Sequence, residues 1–187
     1  MIFLWSGGNK KDLSRRSNDI NGSTIGLIGA GKISKEVIKI AKAFNMKVYC
    51  NTLNPENHKD LLEQGVEFIE LDRLLAEADI ISVNIPLTEQ SKNLISKDKI
   101  KLMKKTATFI NTSRAEIVDI QELINYAVEN ESFNVGLDID VEQYKDILSK
   151  KRNNVIVTPH IAGVSKESIN RMDLELANNI RKYIEEK

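Results

Sequence analysis

The sequence predicts an α/β fold, a doubly wound parallel sheet of about seven strands, in a single domain that follows an N-terminal arm. Two observations predict it. Short apolar strands alternate with helical patterns from Ser23 onward, which is typical of a parallel sheet with crossover helices. Polar segments follow the ends of several strands, where open sheets of this kind bind ligands. We assign residues 1–21 to the arm and residues 22–187 to the domain.

The elements follow one another in a regular order. The predicted strands are 24–28, 47–50, 66–69, 79–84, 106–110, 134–139 and 155–157. Helical patterns cover 32–44, 71–77, 120–128 and 166–183. Because crossovers between parallel strands are right-handed, this order gives a doubly wound sheet.

Apolar residues recur at helical spacing in the first and the last of these helices. The first carries, on one face, Ile33, Val37, Ile40, Ala41 and Phe44. The last carries a stripe of Ile169, Met172, Leu176, Ile180 and Tyr183. A stripe at this spacing is typical of a helix that faces a core, and we expect the last one to be buried.

The composition excludes several classes of partner. The chain has 187 residues with 27 Lys and Arg against 27 Asp and Glu, so its formal net charge is zero. A neutral chain has no strong field for nucleic acid or an anionic membrane, and no apolar run is long enough to cross a bilayer. The single cysteine, Cys50, ends an apolar strand, so we expect a small buried side chain, no intrachain disulfide and a cytoplasmic location.

A glycine loop follows the first strand and opens the first helix. Residues 29–34 read Gly-Ala-Gly-Lys-Ile-Ser. Gly29 permits a tight turn, and Gly31 lets the backbone approach a pyrophosphate at the helix N-terminus, where Lys32 and Ile33 follow. Ser34 stands where a third glycine is usual, and it is small enough for near-normal packing. The loop predicts a Rossmann-type dinucleotide site.

The end of the second strand leaves the choice between NAD and NADP open. A carboxylate usually stands about twenty residues after the loop and binds the adenosine ribose diol. Thr52 occupies that place, so nothing there repels a 2′-phosphate. No arginine is there to bind one either, although Lys59 is nearby.

Three further segments follow predicted strands and carry polar residues. Residues 84–88 read Asn-Ile-Pro-Leu-Thr, residues 109–114 read Phe-Ile-Asn-Thr-Ser-Arg, and residues 154–163 read Asn-Val-Ile-Val-Thr-Pro-His-Ile-Ala-Gly. With the glycine loop, they make about residues 20–187 similar to the cofactor domain of the D-isomer-specific 2-hydroxyacid dehydrogenases. That resemblance implies an NAD(P)-dependent oxidoreductase that transfers hydride between nicotinamide and a small 2-hydroxy or 2-keto acid.

The resemblance also implies roles for single residues. Arg114 would bind the substrate carboxylate and polarise its carbonyl, and His160 would be the general acid/base. Asp138 would hold the nicotinamide carboxamide. Further cofactor contacts are implied for Thr52, Pro86, Thr88, Thr112, Ser113, Ala162 and Gly163. No residue is assigned to a metal site.

The sequence departs from the family at two catalytic positions. The family's glutamate that pairs with the histidine is Gln143 here, with Glu142 adjacent, and Gln143 could orient His160 without supplying charge. The family's Arg-Gly pair is Arg114-Ala115. The resemblance also implies that these 187 residues hold almost none of the family's substrate domain, so we expect cofactor binding with poor catalysis.

Three interpretations remain. The chain is an enzyme or its cofactor domain, or a stand-alone NAD(P)-binding module without activity, or the cofactor domain of a different dehydrogenase or hydrolase class. Arg114 and His160 favour the first, and Gln143 and the missing domain favour the second. The Pro-His-Ile-Ala-Gly segment argues against the third. We expect a homodimer, because relatives pair through this domain and the apolar residues 1–5 would otherwise be exposed.

Overall fold

A single seven-stranded parallel sheet organises the protein. The computed structural model describes residues 19–186. The strand order is β3-β2-β1-β4-β5-β6-β7, so the chain moves outward from β1 in one direction and then returns to build the other half. The strands are β1 Thr24–Ile28, β2 Lys47–Asn51, β3 Glu67–Phe68, β4 Ile80–Val83, β5 Thr108–Asn111, β6 Asn134–Asp138 and β7 Val155–Thr158. The predicted doubly wound fold is confirmed, with its switch point between β1 and β4.

Seven helices accompany the sheet in the described part of the chain. They are α1 Lys32–Ala43, α2 Lys59–Glu63, α3 Leu71–Glu77, α4 Lys97–Ile100, α5 Ile120–Glu129, α6 Lys145–Leu148 and α7 Lys166–Glu185. The sequence patterns predicted α1, α3, α5 and α7. They did not predict α2, α4 and α6, because four or five residues are too few to display a helical period.

The core forms on both faces of the sheet, which is why the strands read as nearly continuous apolar runs. The larger cluster joins β4, β5 and β6 to α3 and α5 through side chains such as Ile81, Phe109 and Leu123. The smaller cluster joins β2 to α1 and α2 through Val48, Ile38 and Leu61. Cys50 lies in this second cluster, fully buried as predicted.

The buried face of α1 differs from the predicted one. Ser34, Ile38 and Ala41 are its buried residues, whereas Ile33, Ile40 and Phe44 are exposed. The buried face keeps Ala41 and is otherwise displaced by one position, with Ser34 in the place expected for Ile33 and Ile38 in the place expected for Val37. The pattern of apolar residues did not reveal this face, because one of its buried positions is a serine, Ser34.

The prediction that the apolar stripe of α7 is buried was wrong. No residue of α7 is buried, and Leu176 is 59% exposed. The period shows that one face of the helix is apolar, but it does not show what that face contacts. No described element covers it.

The first eighteen residues carry several sequence predictions that the structure does not reach. The apolar segment 1–5 and the basic cluster at 10–16 lie outside the described residues, and so does most of the predicted arm. Within residues 19–186, no helix is both long enough and apolar enough to span a membrane.

Candidate cofactor and catalytic site

The candidate site lies along the edge of the sheet where its parallel strands end. The loops that follow β1, β4, β5, β6 and β7 all leave the sheet at this edge. Ligands bind at this edge in open α/β sheets because successive loops diverge there at the switch point. The sequence-predicted residues stand on these loops and on the loop after β2.

The glycine loop has the backbone geometry that its sequence predicted. Gly29 has φ +101°, and a Cβ there would lie 2.7 Å from Ile85 Cγ2 and 2.8 Å from the Asn84 carbonyl oxygen. A larger residue at position 29 would therefore force the backbone apart. Gly31 is the N-cap of α1, and an added Cβ would meet nothing within 4 Å.

That open space suits a pyrophosphate. The first turn of α1 presents free backbone N–H groups and a partial positive charge, and Lys32 and Ile33 are exposed beside it. An anion can approach the backbone at Gly31 because no side chain fills the space. The residues present therefore fit a dinucleotide phosphate.

Ser34 ties the glycine loop to the loop after β4. Its hydroxyl is fully buried and donates to the Gly29 carbonyl oxygen at 2.7 Å. The Asn84 side-chain amide donates to the same hydroxyl at 3.2 Å. Serine therefore does more at this position than a glycine could, since it fixes the turn on both sides.

At the end of β2, Thr52 is half-buried and no carboxylate follows it directly. The Asn51 carbonyl accepts from the Gly29 N–H at 2.8 Å, so the strand end is joined to the glycine loop. The Asn51 side-chain amide donates to the Ile69 carbonyl at 3.0 Å. Lys59 opens α2 further along.

Two polar residues that the sequence patterns did not single out shape neighbouring loops. Ser91 is buried; its hydroxyl donates to the Pro86 carbonyl and accepts from the Thr88 N–H, each at 2.8 Å. Asn111, at the end of β5, has no exposed surface. The sequence signal that could have identified Asn111 is an asparagine at the end of an apolar strand.

Asn111 shapes the segment that carries Arg114. Its side-chain oxygen accepts from the Ser113 N–H at 2.9 Å, and its amide donates to the Arg114 carbonyl at 2.8 Å. The Ser113 hydroxyl reaches the Val83 carbonyl at 2.9 Å. Thr112 and Arg114 are exposed, and the Arg114 guanidinium donates to the adjacent Ser113 carbonyl at 2.9 Å.

Asp138 is buried where β6 ends and is hydrogen-bonded to the loop after β7. Its carboxylate accepts from the Thr158 hydroxyl, from the Ile161 N–H at 2.8 Å and from the Ala162 N–H at 2.9 Å. Burial opposes the charged form. The hydrogen bonds from Thr158, Ala162 and Ile161 outweigh it and hold the pKa of the Asp138 carboxyl below its ordinary value.

His160 stands on this loop with its backbone in the left-handed region, at φ +54°. It is exposed and lines a surface pocket with Pro159, Asp140, Val141 and Glu142. Gln143, the predicted partner of His160, is exposed and does not line that pocket. Gly163 ends the loop, and a Cβ there would meet nothing within 4 Å.

Comparison with known proteins identifies the domain. Residues 4–162 match the family described as "D-isomer specific 2-hydroxyacid dehydrogenase, NAD binding domain". The chain belongs to this family. It is 35% identical to a glyoxylate reductase of Korarchaeum cryptofilum over 167 residues, which cover 87% of this chain and 49% of that relative.

Solved structures agree on the fold. A D-lactate dehydrogenase of Aquifex aeolicus, complexed with NAD and lactic acid, superposes with a TM-score of 0.82 at 31% identity, over 94% of this chain and 57% of that one. An acyclic imino acid reductase in complex with NADPH and D-Arg superposes with a TM-score of 0.84 at 33% identity, over 94% of this chain and 55% of that one. The chain is therefore an NAD(P)-binding domain of this family. It spans about half the length of the curated relatives that it matches.

Proposed function

We propose that this chain supplies the cofactor half of an oxidoreductase that interconverts small 2-hydroxy acids and 2-keto acids. One observation carries the proposal. The open glycine loop at the N-terminus of α1 lies on the same edge of the sheet as the loops that bear Arg114 and His160. A bound nicotinamide would supply or accept the hydride, and these two side chains would manage the charge and the proton.

Arg114 suits the binding of a carboxylate. Its guanidinium is permanently charged and can donate two parallel hydrogen bonds to a carboxylate. It is exposed on a short loop whose backbone Asn111 fixes from both sides. In this position it would hold the substrate carboxylate and draw electron density from the adjacent carbonyl.

His160 suits proton transfer. In reduction, hydride adds to the carbonyl carbon and the imidazolium gives its proton to the carbonyl oxygen; in oxidation, the imidazole takes the hydroxyl proton. Its exposed position after β7 supports this role. We propose that Gln143 orients the ring, although Glu142 is the residue that lines the pocket with it.

A stand-alone NAD(P)-binding module is the second candidate. The chain covers about half of the relatives' length, and Arg114 and His160 are exposed with no described residue enclosing them. Enclosure excludes water and positions the substrate, which commonly contributes several kcal/mol to lowering a barrier. The two candidates differ in turnover. Assays with glyoxylate, pyruvate, hydroxypyruvate and 2-ketoglutarate should give far less than about one turnover per second for the 187 residues alone.

Cofactor binding is the direct test of the site. Titration calorimetry should detect NADH or NADPH with the unmodified chain. Gly31→Val should weaken that binding by at least about tenfold, because the new side chain fills the space that a pyrophosphate needs, while the fold tolerates it.

A matched glycine provides the control. In Gly136→Ala, the added Cβ stands 3.9 Å from Ile110 inside the sheet and away from the site, so binding should persist. No heat with either cofactor at millimolar concentration would refute the proposal. So would equal binding by Gly31→Val and the unmodified chain.

We also propose a homodimer in the cytoplasm. Exposed apolar side chains on α1, among them Ile33, Ile40 and Phe44, support self-association. A single buried thiol fits a reducing compartment.

A further inference from the structure

Asp138 occupies an unusual position for a charged residue. It is only 3% exposed, and an ionised carboxylate is costly to bury unless it is hydrogen-bonded. Three donors satisfy it: the hydroxyl of Thr158, the last residue of β7, and the backbone N–H groups of Ile161 and Ala162 in the loop that follows. The carboxylate therefore joins the end of β6 to the loop after β7.

These donors lie on both sides of His160. Thr158 precedes it by two residues, and Ile161 and Ala162 follow it directly. His160 itself has φ +54°, a region that residues other than glycine seldom adopt and that persists only where surrounding bonds determine it. The residue proposed to transfer the proton therefore has, on either side of its unusual backbone conformation, residues that donate to Asp138.

Apolar packing does not account for that conformation. All residues from 159 to 163 are exposed, so no core contact fixes them. The other hydrogen bonds of this segment to described residues stay local: His160 N–H to the Thr158 carbonyl, Val164 N–H to the Ile161 carbonyl, and the Ser168 hydroxyl to the Gly163 carbonyl. Among the hydrogen bonds of described residues, only those to Asp138 tie positions 161 and 162 to the sheet.

We propose that Asp138 is a positioning residue for His160, whose buried carboxylate holds the left-handed turn that presents the imidazole. This inference rests on the proposed function for the task of the imidazole, but not for the anchoring itself. One Asp138 oxygen accepts two bonds and the other accepts one. An acceptor site therefore remains for a further donor, such as a carboxamide.

Nuclear magnetic resonance on the full chain tests the anchor. In the unmodified protein, the Ile161 and Ala162 amides should be protected from hydrogen exchange. His160 should show the strong intraresidue H–N to Hα Overhauser effect of a positive φ. Asp138→Asn replaces one acceptor oxygen with a donor, so these amides should exchange at least about tenfold faster and the His160 signal should weaken.

A neighbouring carboxylate provides the control. Asp140 is exposed, and its Oδ1 accepts from the N–H groups of Glu142 and Gln143 rather than from the His160 loop. Asp140→Asn should leave the Ile161 and Ala162 exchange rates and the His160 signal unchanged. Thr158→Val removes one of the three donors to Asp138 and should give a smaller change, which keeps the test available if Asp138→Asn unfolds.

A pH profile gives a readout that general loosening of the loop would not produce. In the unmodified protein the Ile161 and Ala162 amide shifts should titrate together, below the ordinary pH range of an aspartate. That step should vanish in Asp138→Asn and persist in Asp140→Asn. Unchanged exchange and an unchanged His160 signal in folded Asp138→Asn would overturn the proposal. If NADH bound neither the unmodified chain nor any variant, the proposed function would be contradicted. The role of Asp138 would still be tested by the Ile161 and Ala162 exchange rates and by the His160 Overhauser effect.

Discussion

We expect that Thr52 neither binds a ribose diol strongly nor repels a 2′-phosphate, and that it therefore gives the site little discrimination between NAD and NADP. It follows β2 directly and is half-buried. We expect weak preference between NADH and NADPH in the unmodified chain. Thr52→Asp should shift the ratio of the two dissociation constants toward NADH by about tenfold or more, because a carboxylate accepts from the diol and repels a 2′-phosphate.

Thr52→Asn is the matched variant, since it has the size of aspartate without the charge, and it should move the ratio little. Titration of both cofactors against all three proteins measures this. If the unmodified chain already favours NADH by about a hundredfold, Thr52 is not the discriminating position.

Single residues differed in how far the sequence could reveal them. The phosphate-binding role of Gly29 and Gly31 could be predicted from sequence, because glycines placed between a strand and a helix are typical of a loop that approaches a phosphate. The anchoring bonds of Asp138 were not, because they depend on the Ile161 and Ala162 N–H groups, more than twenty residues away in the chain. The role of Asn111 was not predicted for a different reason: its partners Ser113 and Arg114 are close in the chain, but the bonds to them depend on how the loop folds.

Helices α5 and α7 both carry an apolar face, but that face is buried in α5 and exposed in α7. Leu123 of α5 has no exposed surface, whereas Leu176 of α7 is 59% exposed. Leu123→Ala should therefore lower the free energy of unfolding by roughly 2–5 kcal/mol through lost burial and a cavity. Leu176→Ala should change it by less than about 0.5 kcal/mol.

Urea denaturation of the two variants measures both values, and repetition at tenfold lower protein concentration controls for association. A loss for Leu176→Ala as large as that for Leu123→Ala would mean that the apolar face of α7 is covered. The sequence could show that α7 has an apolar face, because periodicity is local. It could not show the exposure of that face, because exposure depends on what lies opposite.

For the whole molecule, the strand order follows from sequence because alternating strands and helices permit few topologies. The oligomeric state does not follow from sequence, because it depends on which surfaces meet and not on the spacing of apolar residues. We expect a dimer by sedimentation at micromolar concentration. Deletion of residues 1–20 should weaken it, because the apolar residues 1–5 are expected to contribute to the contact.

Ile40→Glu places a charge on the exposed α1 face without disturbing the core, and it should weaken the same dimer. Lys39→Gln, on the same helix but outside the apolar stripe, lowers the charge by the same one unit and should sediment more like the unmodified chain. A monomer whose sedimentation is unaffected by the deletion would contradict the expectation.

The position of Cys50 makes the rate of its chemical labelling a measure of local opening. The chain has one thiol; it is fully buried, its sulfur lies 3.5 Å from the Gly29 carbonyl oxygen, and burial raises its pKa to about 12. An alkylating reagent should react only when the packing around Cys50 opens, and that packing includes α1 and the Gly29 carbonyl, so the labelling rate should report openings beside the glycine loop. A dinucleotide that binds only the closed form would lower that rate in proportion to the fraction of protein left without ligand, by about a hundredfold at a hundred times its dissociation constant. The dissociation constant of the cofactor could therefore be obtained from the labelling rate of the Cys50 thiol, without any signal from the ligand.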